Sequence, residues 1–381
     1  MRFAHTGDCH LGGWKHPELR ELNMDCFRHA VQIFLKESLD FILIAGDLFD
    51  TAYPDIETVR EAFREFKKLK DANIMVFFIA GSHDFSVSGK SFLDVLESAG
   101  FGKNAFQPEE RGTVIYLKPL IYRNVAIYGY PGKKSGLEVE EIARIKLHDS
   151  PGLFRILMLH TAIRDAVGTL PIQAVDQDKL PSVDYTALAH LHVNYNKKAR
   201  VYCGPLFPNN SAELEELKGG SFYLVDTSGK IERREIVLKE VLVCSYEITN
   251  ALVAKTQILK NMAEQDLRDK IVILKLSGAI ETGKIIDIDF REIESFARKQ
   301  GAYAFLRLTS KLYNRELQNI EDIKTEEIEL NLIENFKKEN KKYSEMIDPL
   351  INMLQLIKKE EEKNTHFEER LLDEVEKVVK V

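Results

Sequence analysis

Five short segments, set in a fixed order, constrain this 381-residue chain more than any other feature. They are Asp8-Cys9-His10, Gly46-Asp47, Gly81-Ser82-His83-Asp84, His160 and His190-Leu191-His192. Four of the five follow apolar runs that read as buried β-strands, so the polar groups emerge where strands stop. Aspartates and imidazoles gathered at strand ends suit a pair of divalent cations. One such histidine alone is ordinarily a hydrogen-bonded core residue. Asp8, His10, Asp47, Ser82, His160, His190 and His192 taken together point to a single converged site.

The spacing suggests how convergence is achieved. Asp8 and His10 lie two apart, and on an extended chain both side chains leave toward one side. His190 and His192 share that spacing. Gly46 allows a tight turn before Asp47. A carboxylate there can give one oxygen to each of two cations roughly 3.5–4 Å apart.

Residues 1–238 alternate strand-like runs with amphipathic helices. Strands are predicted at Arg2–Thr6, Phe41–Ala45, Ile74–Ala80, Val125–Tyr130, Phe154–Leu159 and Tyr185–Ala189. Helices are predicted over Leu19–Ser38, Ile56–Asp71 and Ser91–Gly100. This alternation implies an α/β fold with sheet at its centre. Residues 239–312 read as a small α+β cap with no clustered His or Cys, followed by a linker at 313–324. Over 325–381, Tyr343, Ile347, Leu350, Leu354 and Ile357 make one apolar stripe, and Phe367, Leu371 and Val375 another. Two such helices can scarcely bury their own faces, so they either pack back on the body or, the preferred reading, form a docking site for a partner helix pair.

Composition sets limits on function. The net charge of −7 disfavours a nucleic-acid ligand until its distribution is considered. The segment from Thr325 onward carries 10 Lys/Arg against 15 Asp/Glu, so the rest of the chain is nearly neutral. Phosphate binding therefore stays open. Lys90, Lys133, Lys134, Lys197, Lys198 and Arg200 lie close to the motifs in sequence and are candidate DNA-backbone contacts, or simply solvated loop residues. No apolar stretch approaches the roughly 20 residues of a membrane helix. The first motif leaves no room for a signal peptide, and the four cysteines form no Cys-x-x-Cys pair. The expectation is a cytoplasmic protein.

The order Asp-x-His, Gly-Asp, Gly-Asn-His-Asp/Glu, His, Gly-His-x-His is the signature of the calcineurin-like metallophosphoesterase superfamily, which this sequence resembles over residues 1 to about 235. Asp8-Cys9-His10-Leu11-Gly12 and Gly46-Asp47-Leu48-Phe49-Asp50, with Pro54 beyond, resemble the SbcD-type branch, the nuclease subunit of a double-strand-break repair complex. The cap and the tail match that branch too. The resemblance implies a four-layer α/β/β/α sandwich with a capping domain and a helical tail. It implies two Mn2+ per chain, one held by Asp8, His10, Asp47 and His192, the other by Asp47, Ser82, His160 and His190. His83 would stand beside the scissile phosphate, with Asp84 orienting its imidazole. The implied chemistry is in-line attack by a metal-activated hydroxide on a phosphodiester of DNA. The implied partner is a coiled-coil ATPase of the SbcC kind, docked through the tail. A homodimer is implied through Ile56–Asp71 and Ser91–Gly100, with Phe63, Phe92 and Leu96 as contacts or as core residues.

Three departures stand out. Ser82 replaces the usual Asn, and a hydroxyl is the weaker ligand. Ala189 replaces the usual Gly before His190. Asp50 stands where some relatives carry a histidine linked to exonuclease action. Two other readings stay open: a phosphoesterase acting on nucleotides or phosphoproteins, and a DNA-binding scaffold whose second cation Ser82 has weakened.

Overall fold

The computed structural model describes residues 1–86, 90–133, 136–168 and 172–314, together with Phe336, Lys337, Met346, Ile347, Pro349, Phe367, Leu371 and Leu372. Strands built from Val, Ile, Leu and Phe without polar interruption are those buried on both faces, and Phe41–Ile44 and Met75–Phe78 are of this kind within the first of two six-stranded sheets. The first has the order Ile231–Ile236, Gly220–Asp226, Arg2–Thr6, Phe41–Ile44, Met75–Phe78, Lys103–Asn104. Its last four strands are parallel, and Gly220–Asp226 runs antiparallel to Arg2–Thr6. The second has the order Tyr195–Lys197, Arg200–Tyr202, Tyr185–Ala189, Phe154–His160, Val125–Tyr130, Leu120–Tyr122, with its four inner strands parallel.

Successive side chains on a strand point to opposite faces, and the packing follows that rule. Phe3, Phe41, Leu43 and Phe77 of the first sheet meet Ile127, Ile156, Met158 and Tyr185 of the second in one buried layer. Phe3 stacks on Phe41 with ring centroids 4.8 Å apart and meets Tyr185 edge-on at 5.4 Å. Their neighbours Ala4, Ile42, Ile44, Val76 and Phe78 face the other way, onto the helices. Helix Pro17–Lys36 supplies Leu19, Leu22, Phe27, Ala30, Val31 and Phe34 to that face, at the three- and four-residue spacing of one helical stripe. Helix Ile56–Asp71 starts where the Asp55 carboxylate accepts the Thr58 N–H.

The outer face of the second sheet is covered differently. Tyr128, Leu157, Leu159 and Tyr202 pack against Ile115, Leu117 and Ile145 of a small three-stranded sheet, together with Ile142 and Ile163. That small sheet escaped the sequence reading, because Pro108–Arg111 is Pro-Glu-Glu-Arg and carries no apolar alternation.

Leu96, read as a dimer contact, is fully buried. It shares the inner stripe of helix Phe92–Ser98 with Leu93. Phe63 and Phe92 are half-buried against the same core, Phe63 edge-on to Phe101.

The chain divides into two compact units. One comprises Met1–Tyr246, Lys255–Leu276 and Asp289–Thr309; the other comprises Glu247–Ala254, Ser277–Ile288 and Ser310–Val381. In the first unit Ile271, Ile273 and Ala304 join the same core as helix Pro17–Lys36. Arg298 pairs with Glu18 at 2.7 Å, and the Tyr303 hydroxyl donates to the Glu18 carbonyl at 3.0 Å. In the second unit the Ile248 N–H donates to Ser277 O and the Ala251 N–H to Thr282 O. Of the expected partner-facing residues, Ile347, Phe367 and Leu371 are half-buried, whereas Tyr343, Leu350, Leu354, Ile357 and Val375 lie outside the described residues. No helix among the described residues is long and apolar enough to cross a membrane.

Candidate metal centre

All five motifs sit at the C-terminal ends of parallel strands of the two sheets, so two edges meet at one place. The local backbone differs from the expectation of an extended chain at Asp8 and His10. Both adopt the left-handed region, with φ of 47° and 43°, as do Asp47 at 49° and His190 at 99°. Non-glycine residues held there cost about 1 kcal/mol or more each and persist where surrounding bonds over-determine them. Those bonds run between the first two motif loops: Asp8 N–H to Gly46 O, His10 N–H to Asp47 O and Leu11 N–H to Leu48 O, each 3.0 Å.

Two glycines are required by close approach. A Cβ on Gly46 would stand 2.4 Å from His160 Nδ1, and one on Gly81 would stand 2.1 Å from Asp47 Oδ1. The Ala189 methyl occupies space that Gly7 leaves open, since a Cβ on Gly7 would meet it at 2.7 Å.

The side chains converge. Ligand-type atoms of Asp8, His10 and His192 lie within 4.8 Å of one another, as do those of Asp8, Asp47 and His160. Asp8, His10, Asp47 and His160 are at most 2% exposed. His190 joins through its ring, 5.1 Å centroid to centroid from His160, and its backbone N–H donates to both Asp8 oxygens at 3.0 Å. The Ser82 hydroxyl reaches Asp47 Oδ2 at 3.4 Å.

Proton positions test whether a cation fits here. His160 Nδ1 can only donate to the Ala45 carbonyl, 3.0 Å away. In the neutral ring that leaves a lone pair on Nε2, which lies 3.1 Å from Asp47 Oδ2. His10 Nδ1 donates to Asp50 Oδ1 at 3.2 Å and His192 Nδ1 to Glu213 Oε2 at 3.0 Å. Their Nε2 atoms then face each other at 3.1 Å. Lone pairs pointed at lone pairs across buried space repel unless a proton or a metal cation stands between them. Imidazoles fixed by a carboxylate or carbonyl on one nitrogen and free on the other are the usual form of metal-binding histidine. The donor set of carboxylates and imidazoles fits a divalent cation.

A sequence profile described as calcineurin-like phosphoesterase matches residues 1–194. The chain belongs to that family. As a family member it is a metal-dependent phosphodiesterase. Among its relatives is the DNA double-strand break repair protein Mre11 of Archaeoglobus fulgidus, 25% identical across 88% of this chain and 80% of that protein. The Mre11 of Methanocaldococcus jannaschii is 28% identical across 84% of this chain and 95% of its own length. The metallophosphoesterase YhaO of Bacillus subtilis is 28% identical across 63% and 62%.

The electrostatics of this phosphoesterase follow from the crowding. Burial works against a charged His160, but Asp47 and then Asp8 outweigh it and lift the imidazole to about 9. Burial would likewise raise Asp47, yet His160, His10 and His83 hold it well below the ordinary carboxylate range. Burial, and then His160, push His190 down to about 4. Near neutral pH a proton therefore sits on His160 beside Asp47, and a cation must displace it. Calorimetry in buffers of different ionisation enthalpy should show at least one proton released per chain as Mn2+ binds at pH 7.5, declining above pH 9. Heats that do not depend on the buffer would contradict this. The raised His160 stabilises the metal-free fold fully below its unfolded value near 6.5. That contribution is lost as pH rises through about 9.

Asp84 does not orient His83. Its carboxylate accepts the N–H groups of Leu48, Phe49 and Gly81 at 3.0–3.1 Å, bracing the second motif loop against the third. The His83 ring is held instead by the Asp50 carbonyl, to which Nδ1 donates at 2.8 Å. Its side chain is 45% exposed, beside a cavity of about 540 Å³ lined also by Asp50, Ser82, Lys133, Glu138 and His190. Glu138, which sequence reasoning missed, is buried with an unpartnered Oε2.

Among the basic candidates, Lys133 pairs with Glu141 at 2.5 Å and Lys197 with Asp165 at 3.1 Å. Arg200 reaches the Gln177 carbonyl at 3.5 Å, while Lys90 and Lys198 are exposed. Lys134 lies outside the described residues. Glu213 was also missed. Its signal, Asn210-x-x-Glu213, marks a helix start, and nothing in sequence ties that helix to His192.

Proposed function

We propose that this protein is a manganese-dependent DNA nuclease acting in double-strand-break repair. The observation that carries the reading is the His10–His192 pair, whose Nε2 atoms face each other at 3.1 Å while carboxylates hold the opposite nitrogens. Asp8, His10, Asp47 and His192 would hold one cation, and Asp47, Ser82, His160 and His190 the other. When bound, the cations neutralise charge on the attacking and leaving oxygens and lower the pKa of water. The Ala45 carbonyl, Asp50 and Glu213 hold the imidazoles of His160, His10 and His192 in place. His83, with Nδ1 donating to the Asp50 carbonyl, presents Nε2 to the cavity, where the imidazolium form would donate a hydrogen bond or a proton to an oxygen of the ester. DNA as substrate is supported by the names of the relatives, which are double-strand-break repair proteins over most of this chain's length.

In this reading residues 239–312 cap the site and touch DNA, with Lys90, Lys133, Lys134, Lys197, Lys198 and Arg200 as further backbone contacts. The apolar stripes of the tail would dock on an SbcC-like coiled-coil ATPase in the cytoplasm. Dimerisation would use Phe63 and Phe92 without Leu96. Labelled blunt and hairpin duplexes, incubated with and without Mn2+, test the reading. Cleavage only with Mn2+ is expected. Hydrolysis of a small diester with no cut in either DNA would favour a nucleotide phosphodiesterase.

A scaffold with a weakened second cation draws support from Ser82, whose hydroxyl reaches only to Asp47 at 3.4 Å. Ser82→Asn supplies an amide oxygen and should tighten the weaker Mn2+ site roughly tenfold, about 1.4 kcal/mol. Calorimetry reads this directly. An unchanged isotherm would mean that Ser82 does not limit occupancy.

A further inference from the structure

We infer that Glu213 is a positioning residue for the centre: it holds His192 with its proton on Nδ1, so that Nε2 is the atom offered to a cation. This deepens the reading of the site as a two-cation centre and rests on it.

The geometry is specific. Glu213 Oε2 lies 3.0 Å from His192 Nδ1 and also accepts the Asn209 N–H at 2.8 Å. Its other oxygen, Oε1, accepts from the Asn210 amide at 2.5 Å. The carboxylate is thus fixed by two donors besides His192. Glu213 sits in the first turn of helix Ser211–Leu217, whose start is capped by the Asn210 side-chain oxygen on the N–H groups of Ala212 and Glu213. That helix is also anchored away from the site, since Glu215 pairs with Lys275 at 2.7 Å. A carboxylate on Nδ1 fixes the tautomer and the ring plane and makes the opposite nitrogen more basic. Asp50 does the same for His10 from the other side, which is why the two Nε2 atoms face each other at 3.1 Å. Without Glu213, His192 could place its proton on Nε2 and close the gap with a hydrogen bond to His10. The centre would then satisfy itself and compete with the cation.

The test uses the full-length protein. Glu213→Ala leaves the Asn210 cap on the backbone intact, so the fold should survive. Histidine-selective nitrogen NMR on the metal-free protein should find wild-type His192 as the Nδ1–H tautomer and the Ala variant shifted toward Nε2–H. Mn2+ affinity by calorimetry should fall about 10- to 100-fold in that variant. Glu213→Gln keeps an acceptor oxygen and loses the charge. It should retain the Nδ1–H tautomer with only a severalfold loss, and it serves as the variant to measure if the Ala protein does not fold. Wild-type protein that binds no Mn2+ would overturn the two-cation reading itself. Wild-type binding together with an unchanged isotherm and tautomer in the folded variant would overturn the role of Glu213 alone.

Discussion

Asp47→Ala should reduce kcat/KM for a small phosphodiester by roughly a thousandfold or more, on the scale of removing one group that organises transition-state charge. Asp47 is buried beside His160 at 3.1 Å and His10 at 3.8 Å, one imidazole from each side of the centre. Its Oδ1 also accepts the backbone N–H of His83 at 2.8 Å, which ties the exposed imidazole to the buried cluster. Alanine removes the charge and that tie together. Asp47→Asn separates them, because an amide oxygen can still take the His83 N–H while the negative charge is gone. A loss of at least roughly a hundredfold is expected for Asn, with Mn2+ affinity reduced in both variants. Activity within tenfold of wild type in the Asn protein would show that the charge of Asp47 is not what the reaction needs.

The largest effect on stability belongs to Asp84→Ala. Three buried N–H groups, those of Leu48, Phe49 and Gly81, would lose their acceptor at once. Each buried donor left unsatisfied costs about 1–3 kcal/mol. Part of this is offset, because burial and the neighbouring Asp47 push the Asp84 carboxyl up to about 6, and its removal relieves that burden. The net expectation is a loss on the order of 3–5 kcal/mol, with a melting temperature lower by about 10 °C. Asp84→Asn keeps one acceptor oxygen and should lose less than half as much. Thermal and urea unfolding of the metal-free proteins measure this without interference from cation binding. A melting temperature within 2 °C of wild type for the Ala variant, roughly the measurement error, would mean that water replaces the lost acceptor.

These two residues also show where sequence reading works and where it stops. That the motifs gather at one place was legible because four of the five follow an apolar run, and strand ends on adjacent parallel strands lie side by side. How they converge was not legible. Asp8 and His10 meet the others through left-handed backbone held by bonds to the second motif, rather than through the alternation of an extended strand. Asp84 was assigned to His83 because the two are adjacent in sequence. Its partners Leu48 and Phe49 are some 35 residues away, and no local pattern announces them. Leu96 has the spacing of a helix stripe, which fixes that a face is apolar but not what covers it; here it is the core. The strand Pro108–Arg111 is stabilised by its antiparallel partner Val114–Leu117 rather than by any apolar alternation of its own. Glu213 reaches His192 only because the fold brings one helix start to the end of a particular strand.

Anomalous diffraction from crystals soaked in Mn2+ tests the paired-cation centre most directly. Two peaks roughly 3.5–4 Å apart are expected, with a carboxylate oxygen of Asp47 bonded to each and His192 and His160 on opposite sides. A single peak away from Asp47, or no peak with Asp8, Asp47, His160 and His192 still clustered, would contradict it.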